Sequence, residues 1–438
     1  MRRGHARPKG RRRHTGPVPP LGLATPADRA IQRRTLGTLV GSQMLGGVGV
    51  SSGIAVGSLL AEQILGSPDL AGLGGTFQVL GSALIAIPMA RIMSVRGRRP
   101  GLGFGYLLGI AGAILLTTAG MVRSFPLLLA GSILFGGATA ANNQARYAAA
   151  DLAEDRHRGR DLSIVVWATT VGAVLGPNLV GLAGRVAETL GIPALTGPFL
   201  FSLTGFGLAS VLLAARLRPD PLLLARTRAQ AAAVEPLEHH GSVARGLRVA
   251  AANPTALLGL VTVALGHAVM VSVMVMTPLH MHHGGADLRV IGFVISIHVL
   301  GMFAFSPVVG FAVDRFGARP MVLVGSAVLV TSALLAAQAP TGWSAGLAVA
   351  LFLLGLGWSF TLVSGSTLIA GAVPVAERAG VQGASDLAMG LAAGGGGALA
   401  GLIVGQLGYP VLGLSAAVAA ALISVAVLVI RGPRAVAV

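Results

Sequence analysis

The 438-residue chain contains no cysteine, only 11% charged residues, three tryptophans and three tyrosines. Without a thiol there is no disulfide scaffold, no thiolate metal site and no cysteine nucleophile. Any soft ligand must come from the 12 methionines or the 10 histidines. An ordinary globular domain carries about 25% charged residues, so this chain has too little polar surface to cover a water-facing particle. Its 54% hydrophobic residues point the same way, to a membrane protein. The charge that exists is unbalanced, with 32 Lys and Arg against 15 Asp and Glu. In a soluble protein that excess would suggest nucleic-acid binding.

About 20 apolar residues cross the hydrocarbon core as a helix. The chain offers twelve such runs, the first near 36–62, the eighth read as one run over 289–312, and the last near 408–430. The fold class expected is therefore an all-α polytopic membrane protein with twelve transmembrane helices in two six-helix halves. Residues 1–35 read as a basic cytoplasmic tail, 36–216 as the first half, 217–250 as a Pro- and Arg-containing linker and 251–438 as the second half. The tail has no apolar core after its basic run and so is not a cleaved signal peptide. Lys and Arg should concentrate on the cytoplasmic side. With the N-terminus inside, only Arg123, Arg185 and Arg289 fall on the outer side. The positive balance is thus an orientation signal: no nucleic-acid partner is expected, but a lipid bilayer, both termini cytoplasmic, in the cell's inner (plasma) membrane. A monomer is the expected state.

The loop after the eighth span reads Gly310, Asp314-Arg315, Gly317, Arg319. A tight turn needs glycine for its backbone angles, Asp314 can accept from amides at a helix N-terminus, and Arg315 can join an ion-pair network. The loop after the second span keeps Gly97-Arg98-Arg99 but has Ser94-Val95 where the later copy has Asp-Arg. The fifth span holds Gly172, Gly176 and Pro177: glycines four apart permit close helix approach, and the proline bends the helix. These repeated loops resemble the signature of the major facilitator superfamily, and the glycine–proline stretch resembles a motif of its antiporters. That resemblance implies alternating access between two halves, with the loop network latching the outward-open state.

His267, Met270 and Met274 share one helical face in the seventh span, as do His298 and Met302 in the eighth. Thioether and neutral imidazole suit Cu(I) and offer little to hard ions. The Met-x-x-x-Met and His-x-x-x-Met pair resembles a branch of the superfamily that imports copper for cytochrome oxidase assembly, which implies Met270, Met274, His298 and Met302 as ligands. Related members of that branch are linked to riboflavin uptake. Core packing and a cross-helix hydrogen bond account for these residues equally well. At the outer end of the seventh span His280, His282 and His283 form a possible capture cluster or a plain interfacial loop.

An intramembrane carboxylate is a proton-relay or cation-site candidate, which makes Asp386 the first coupling residue and His267 the next. Asn142, Asn143, Gln144 and Arg146 make the end of the fourth span unusually polar. They line a cavity or brace the following loop.

The function expected is secondary active transport by alternating access, with copper or a similar soft metal ion moving inward as the leading substrate. One rival is a proton-coupled transporter of a small organic molecule, by riboflavin uptake or drug efflux; the scarcity of Trp and Tyr mildly disfavours a flat ring. Another is a membrane metal sensor or assembly factor using the same site. Neither an enzyme nor a resident cofactor is expected, copper entering only as substrate.

Overall fold

The computed structural model describes residues 26–66, 70, 72–232 and 242–430. Most of the expected basic tail and part of the expected linker lie outside them. The described chain is helical: α1 (Pro26–Leu65), α2 (Leu73–Arg96), α3 (Arg98–Val122), α4 (Phe125–Ala150), α5 (Arg158–Thr189), α6 (Gly197–Arg216), α7 (Pro221–Ala232), α8 (Val243–Ala252), α9 (Pro254–His283), α10 (Leu288–Phe303), α11 (Ser306–Phe316), α12 (Ala318–Ala337), α13 (Ala345–Ala372), α14 (Arg378–Leu407) and α15 (Tyr409–Val429). Twelve of the described segments are long and apolar enough to cross a membrane.

Three features depart from the sequence reading. The first span begins at Pro26, inside the stretch assigned to the tail, because Gln32 anchors the extra turns: its Nε2 donates to the Ala149 carbonyl at 2.8 Å and to Asp161 at 2.7 Å. The linker holds two short helices, of which α8 is pressed onto α14; a Cβ on Gly246 would lie 2.3 Å from the Gly380 carbonyl oxygen. The eighth span is broken into α10 and α11, since Pro307 has no N–H to offer the carbonyl one turn back. Ser306 bridges the break, donating to the Met302 carbonyl at 3.2 Å and meeting Ser359 at 3.0 Å.

The first half packs α1–α6 around Tyr106, Phe135, Phe199 and Phe206. The second packs α9–α15 around Leu329, Leu351, Leu354 and Ile423. Gly97 and Gly317 both take positive φ, 88° and 90°, at the equivalent turns α2–α3 and α11–α12. Only glycine adopts such angles without strain, so the repeat read from the sequence is a repeat of backbone geometry. Within the first half, a Cβ on Gly172 would sit 2.3 Å from the Gly47 carbonyl carbon, and one on Gly176 would sit 2.5 Å from Ser51 Cβ. The glycine pair therefore seats α5 directly on α1, and Ser52 closes the contact by donating to the Gly176 carbonyl at 3.2 Å.

Candidate functional site

Twelve crossings put the α2–α3, α4–α5, α11–α12 and α13–α14 loops on one side, here called the basic face. Just inside this face a polar network joins the two halves. Arg146 of α4 donates from Nη2 to Asp386 of α14 at 2.7 Å, and Gln144 donates to the other carboxylate oxygen at 2.6 Å. Arg146 Nε reaches Ser366 at 3.2 Å, and Tyr147 meets Ser385 at 3.1 Å. Deeper toward the loop, Arg98 at the start of α3 binds Asp151 at 2.7 Å, Gln144 at 3.1 Å and Gln382 of α14. Arg378 adds a second cation 3.7 Å from Asp151. Arg98 and Asp151 are wholly buried. A buried charge is tolerated only when paired and hydrogen-bonded; here Arg98–Asp151 pairs within the first half, while Arg146–Asp386 and Arg378–Asp151 cross between halves.

The loop signature forms its own contact. Asp314 accepts from the Gly159 and Arg160 amides at 2.7 and 2.9 Å. This anion therefore sits on the N-terminus of α5, where unpaired amides and the helix dipole favour it. The sequence expectation for Asp314 is met across the halves, and Gly310 allows it by packing against Gly159 and Ser163. Arg315 departs from expectation: it is exposed and lies 5.9 Å from the Phe316 ring, with no ion pair among the described residues. Arg319 donates to the Ile430 carbonyl at the end of α15. In the degenerate first copy, Ser94 turns back to the Arg91 carbonyl at 2.7 Å. The start of α3 is held from the linker instead, Asp220 accepting from the Arg99 amide at 2.7 Å.

Beyond the Arg146–Asp386 pair lies a cavity of about 330 Å³ between the halves, at the lower end of the range for small-molecule sites, roughly 300 to 1,000 Å³. The first half contributes Gln43, Asn142, Asn143 and Thr169, the second His267, Met302, Phe303 and Trp358, with Arg146 at the base. Asn142 accepts from Tyr106 at 2.6 Å, and Gln43 donates to Thr169 at 2.8 Å. Trp358 donates its indole N–H to His267 Nδ1 at 2.8 Å and meets Phe303 edge-on at 5.5 Å. The base of α14 is buried from Arg378 to Asp386, whereas Leu391, Leu399 and Leu402 above it are exposed. The halves are thus clasped on the basic face.

The sequence-derived residues divide accordingly. Asn142, Asn143, Arg146, His267 and Met302 line the cavity, while Gln144 and Asp386 belong to the clasp. Met270 and Met274 pack into the core of the second half. His298 is fully buried with Nδ1 2.8 Å from the Leu351 carbonyl. Helix α13 lies between α9 and α10, which scarcely touch. Adjacency in sequence therefore does not place the two Met/His pairs face to face. His280 stacks on Tyr409 at 4.0 Å and bonds the Pro340 carbonyl at 3.1 Å, whereas His282 and His283 are exposed. No cluster of three or more His, Asp or Glu suited to a metal occurs among the described residues. Sequence reasoning missed Arg98, Asp151, Gln382 and Trp358. Arg98 stood in the degenerate loop motif and Asp151 directly after the polar end of α4, which were the available signals.

Comparison with known proteins agrees with this architecture. The Major Facilitator Superfamily model matches residues 39–287 and 272–437. The chain is 38% identical over 389 residues to the uncharacterized MFS-type transporter YddS of Bacillus subtilis, covering 89% of this chain and 88% of the relative. It is 28% identical over 369 residues to the riboflavin transporter RfnT of Brucella anthropi, covering 83% and 87%. Among solved structures it is similar in fold to the human organic anion transporter MFSD10, with a TM-score of 0.70 at 17% identity over 90% of this chain and 99% of that one.

Proposed function

Because the chain belongs to the Major Facilitator Superfamily, and is thus a membrane transporter rather than an enzyme, we propose that it carries a small organic molecule through the cavity between its halves by alternating access. The observation that supports this reading is the cavity's construction: both halves line it, and the inter-half pair Arg146–Asp386 forms its base. A substrate there touches both halves at once, so its binding can favour one arrangement over the other. The riboflavin transporter among the relatives makes a flat, polar-edged molecule the first substrate class to test. The orientation we propose follows the basic residues, with the clasped face and both termini cytoplasmic in the inner membrane. Asp386 is the proposed proton-coupling group, because a proton on its carboxylate removes the charge that holds Arg146.

The test is flux of radiolabelled riboflavin into proteoliposomes holding the purified protein, with and without an imposed proton gradient. Saturable uptake that Asp386→Ala abolishes supports the reading. Absence of any carrier-dependent flux for riboflavin and for a panel of neutral and charged aromatic solutes overturns it.

One observation favours a second reading, a soft metal ion as substrate. The Leu351 carbonyl can only accept, so His298 carries its proton on Nδ1, leaving a bare Nε2 that is buried without a partner. Metal-binding imidazoles are commonly oriented by such a second-nitrogen bond, and Met302 stands one turn further along the same span. Copper flux lost in His298→Leu but retained for organic solutes supports this second route; copper flux indifferent to the substitution removes it.

A further inference from the structure

The cavity carries more chemical information than its size. Its one charged lining residue is already committed: Arg146 gives Nη2 to Asp386, Nε to Ser366 and Nη1 to the Asn143 carbonyl at 2.8 Å. No free charge of either sign faces a ligand among the described lining residues. An ion held there would be desolvated without a counter-charge, which is costly. The cavity therefore selects against net charge.

Among the polar lining groups, one on each half has its hydrogen-bonding role fixed by a contact it already makes. On α9, His267 Nδ1 accepts from the Trp358 indole, which can only donate. The neutral ring must then carry its proton on Nε2, so the side chain offers an N–H donor rather than an acceptor. On α1, Gln43 spends its amide nitrogen on Thr169, and its Oε1 is buried with no partner. An unmet buried carbonyl is an acceptor waiting for an N–H or O–H. Phe303 and Trp358 supply a wall suited to a flat ring.

Building on the transport reading, we propose that the substrate is an uncharged planar heterocycle with a lactam- or imide-type edge, its carbonyl received by His267 Nε2–H and its N–H by Gln43 Oε1. His267 and Gln43 are the specificity-determining residues, and Trp358 is a positioning residue that acts through the histidine tautomer. Because the two contacts fall on different halves, one ligand edge spans the interface that alternating access must rearrange.

The test uses alloxazine, a neutral tricyclic dione, and acriflavine, a planar tricyclic cation with no carbonyl, titrated into the purified protein in detergent. Wild type is expected to bind alloxazine and reject acriflavine. His267→Leu should weaken alloxazine binding by about 5- to 150-fold, the effect of leaving one partner of a buried hydrogen bond unmet. His267→Gln, which keeps a donor, should recover most of it. Trp358→Phe, which keeps an aromatic ring in the wall, should weaken binding more in the wild-type background than beside His267→Leu, where no imidazole tautomer is left to fix; a merely structural tryptophan would act equally in both. Preference for acriflavine, equal affinities of the Leu and Gln variants, or a Trp358→Phe effect as large beside His267→Leu as in wild type overturns the assignment. The transport reading fails separately, in the flux assay on wild type, so the two failures are distinguishable.

Discussion

Asp386 Oδ1 lies 2.7 Å from Arg146 Nη2, and the two side chains, one from each half of the molecule, are almost wholly buried at the base of the central cavity. Removing one partner of a buried pair leaves an uncompensated charge, at a cost of about 3 to 5 kcal/mol. At about tenfold per 1.4 kcal/mol, Asp386→Ala should convert a clasped basic face into a mostly open one. The chain has no cysteine, so one introduced at Ser366 or Ser385 is the single thiol present. Its labelling rate by a membrane-impermeant maleimide should rise sharply in the Asp386→Ala background. An unchanged rate shows that the pair does not hold the face shut.

The loop motif makes a smaller contribution of a different kind. Asp314 is an anion at a helix N-terminus, a contact worth typically about 0.3 to 2 kcal/mol. Asp314→Asn should raise the same labelling rate by about thirtyfold at most, well short of the effect of Asp386→Ala. Arg315→Ala should leave it unaltered, because that side chain is exposed and unpaired among the described residues. Equal effects of the two substitutions contradict the division of labour described here.

Arg98 should matter more than any other arginine of the two loops. It is fully buried and bonds Asp151, Gln144 and Gln382 together. Arg98→Met leaves Asp151 with Arg378 alone, 3.7 Å away, and should lower the thermal unfolding temperature in detergent far more than Arg99→Met. Comparable melting of the two variants argues that the network is not what joins these helices.

Glycine packing gives a prediction confined to the first half. Gly172→Val drives a branched side chain into the Gly47 backbone, where even a Cβ would stand 2.3 Å from a carbonyl carbon. Overpacking costs typically about 1 to 3 kcal/mol, and backbone on backbone leaves little room to relax. Gly181→Ala on the same helix meets nothing within 4 Å and should be silent. Thermal stability of the purified variants decides the matter, and a stable Gly172→Val protein refutes the close approach.

Much of this architecture was legible one residue at a time. Twelve apolar runs and two glycines at equivalent turns follow from hydropathy and permitted backbone angles, which are local properties. Asp314 was readable too, because a carboxylate after a tight turn has few better partners than a helix N-terminus. The breaks and extensions were less so. Pro307 marks the division of the eighth span plainly in hindsight, but an apolar run on both sides of a proline reads as continuous unless the freed carbonyls are accounted for.

Only the tertiary structure decided which side chains meet. Arg98, Gln144, Arg146, Asp151, Gln382 and Asp386 come from α3, α4 and α14 and the loop after α4, brought together by packing between halves. Helices α9 and α10, neighbours in sequence, scarcely touch and each pack on α13, so Met270 and Met274 lie in the core of the second half while Met302 reaches the cavity. Trp358, unremarkable in an apolar run, fixes the proton of His267 by a bond from a different helix. Period and composition specify which face of a helix is apolar and where the chain crosses the bilayer. The neighbour across that face is set by how the whole bundle fills space and pairs its buried charges, which no single span records.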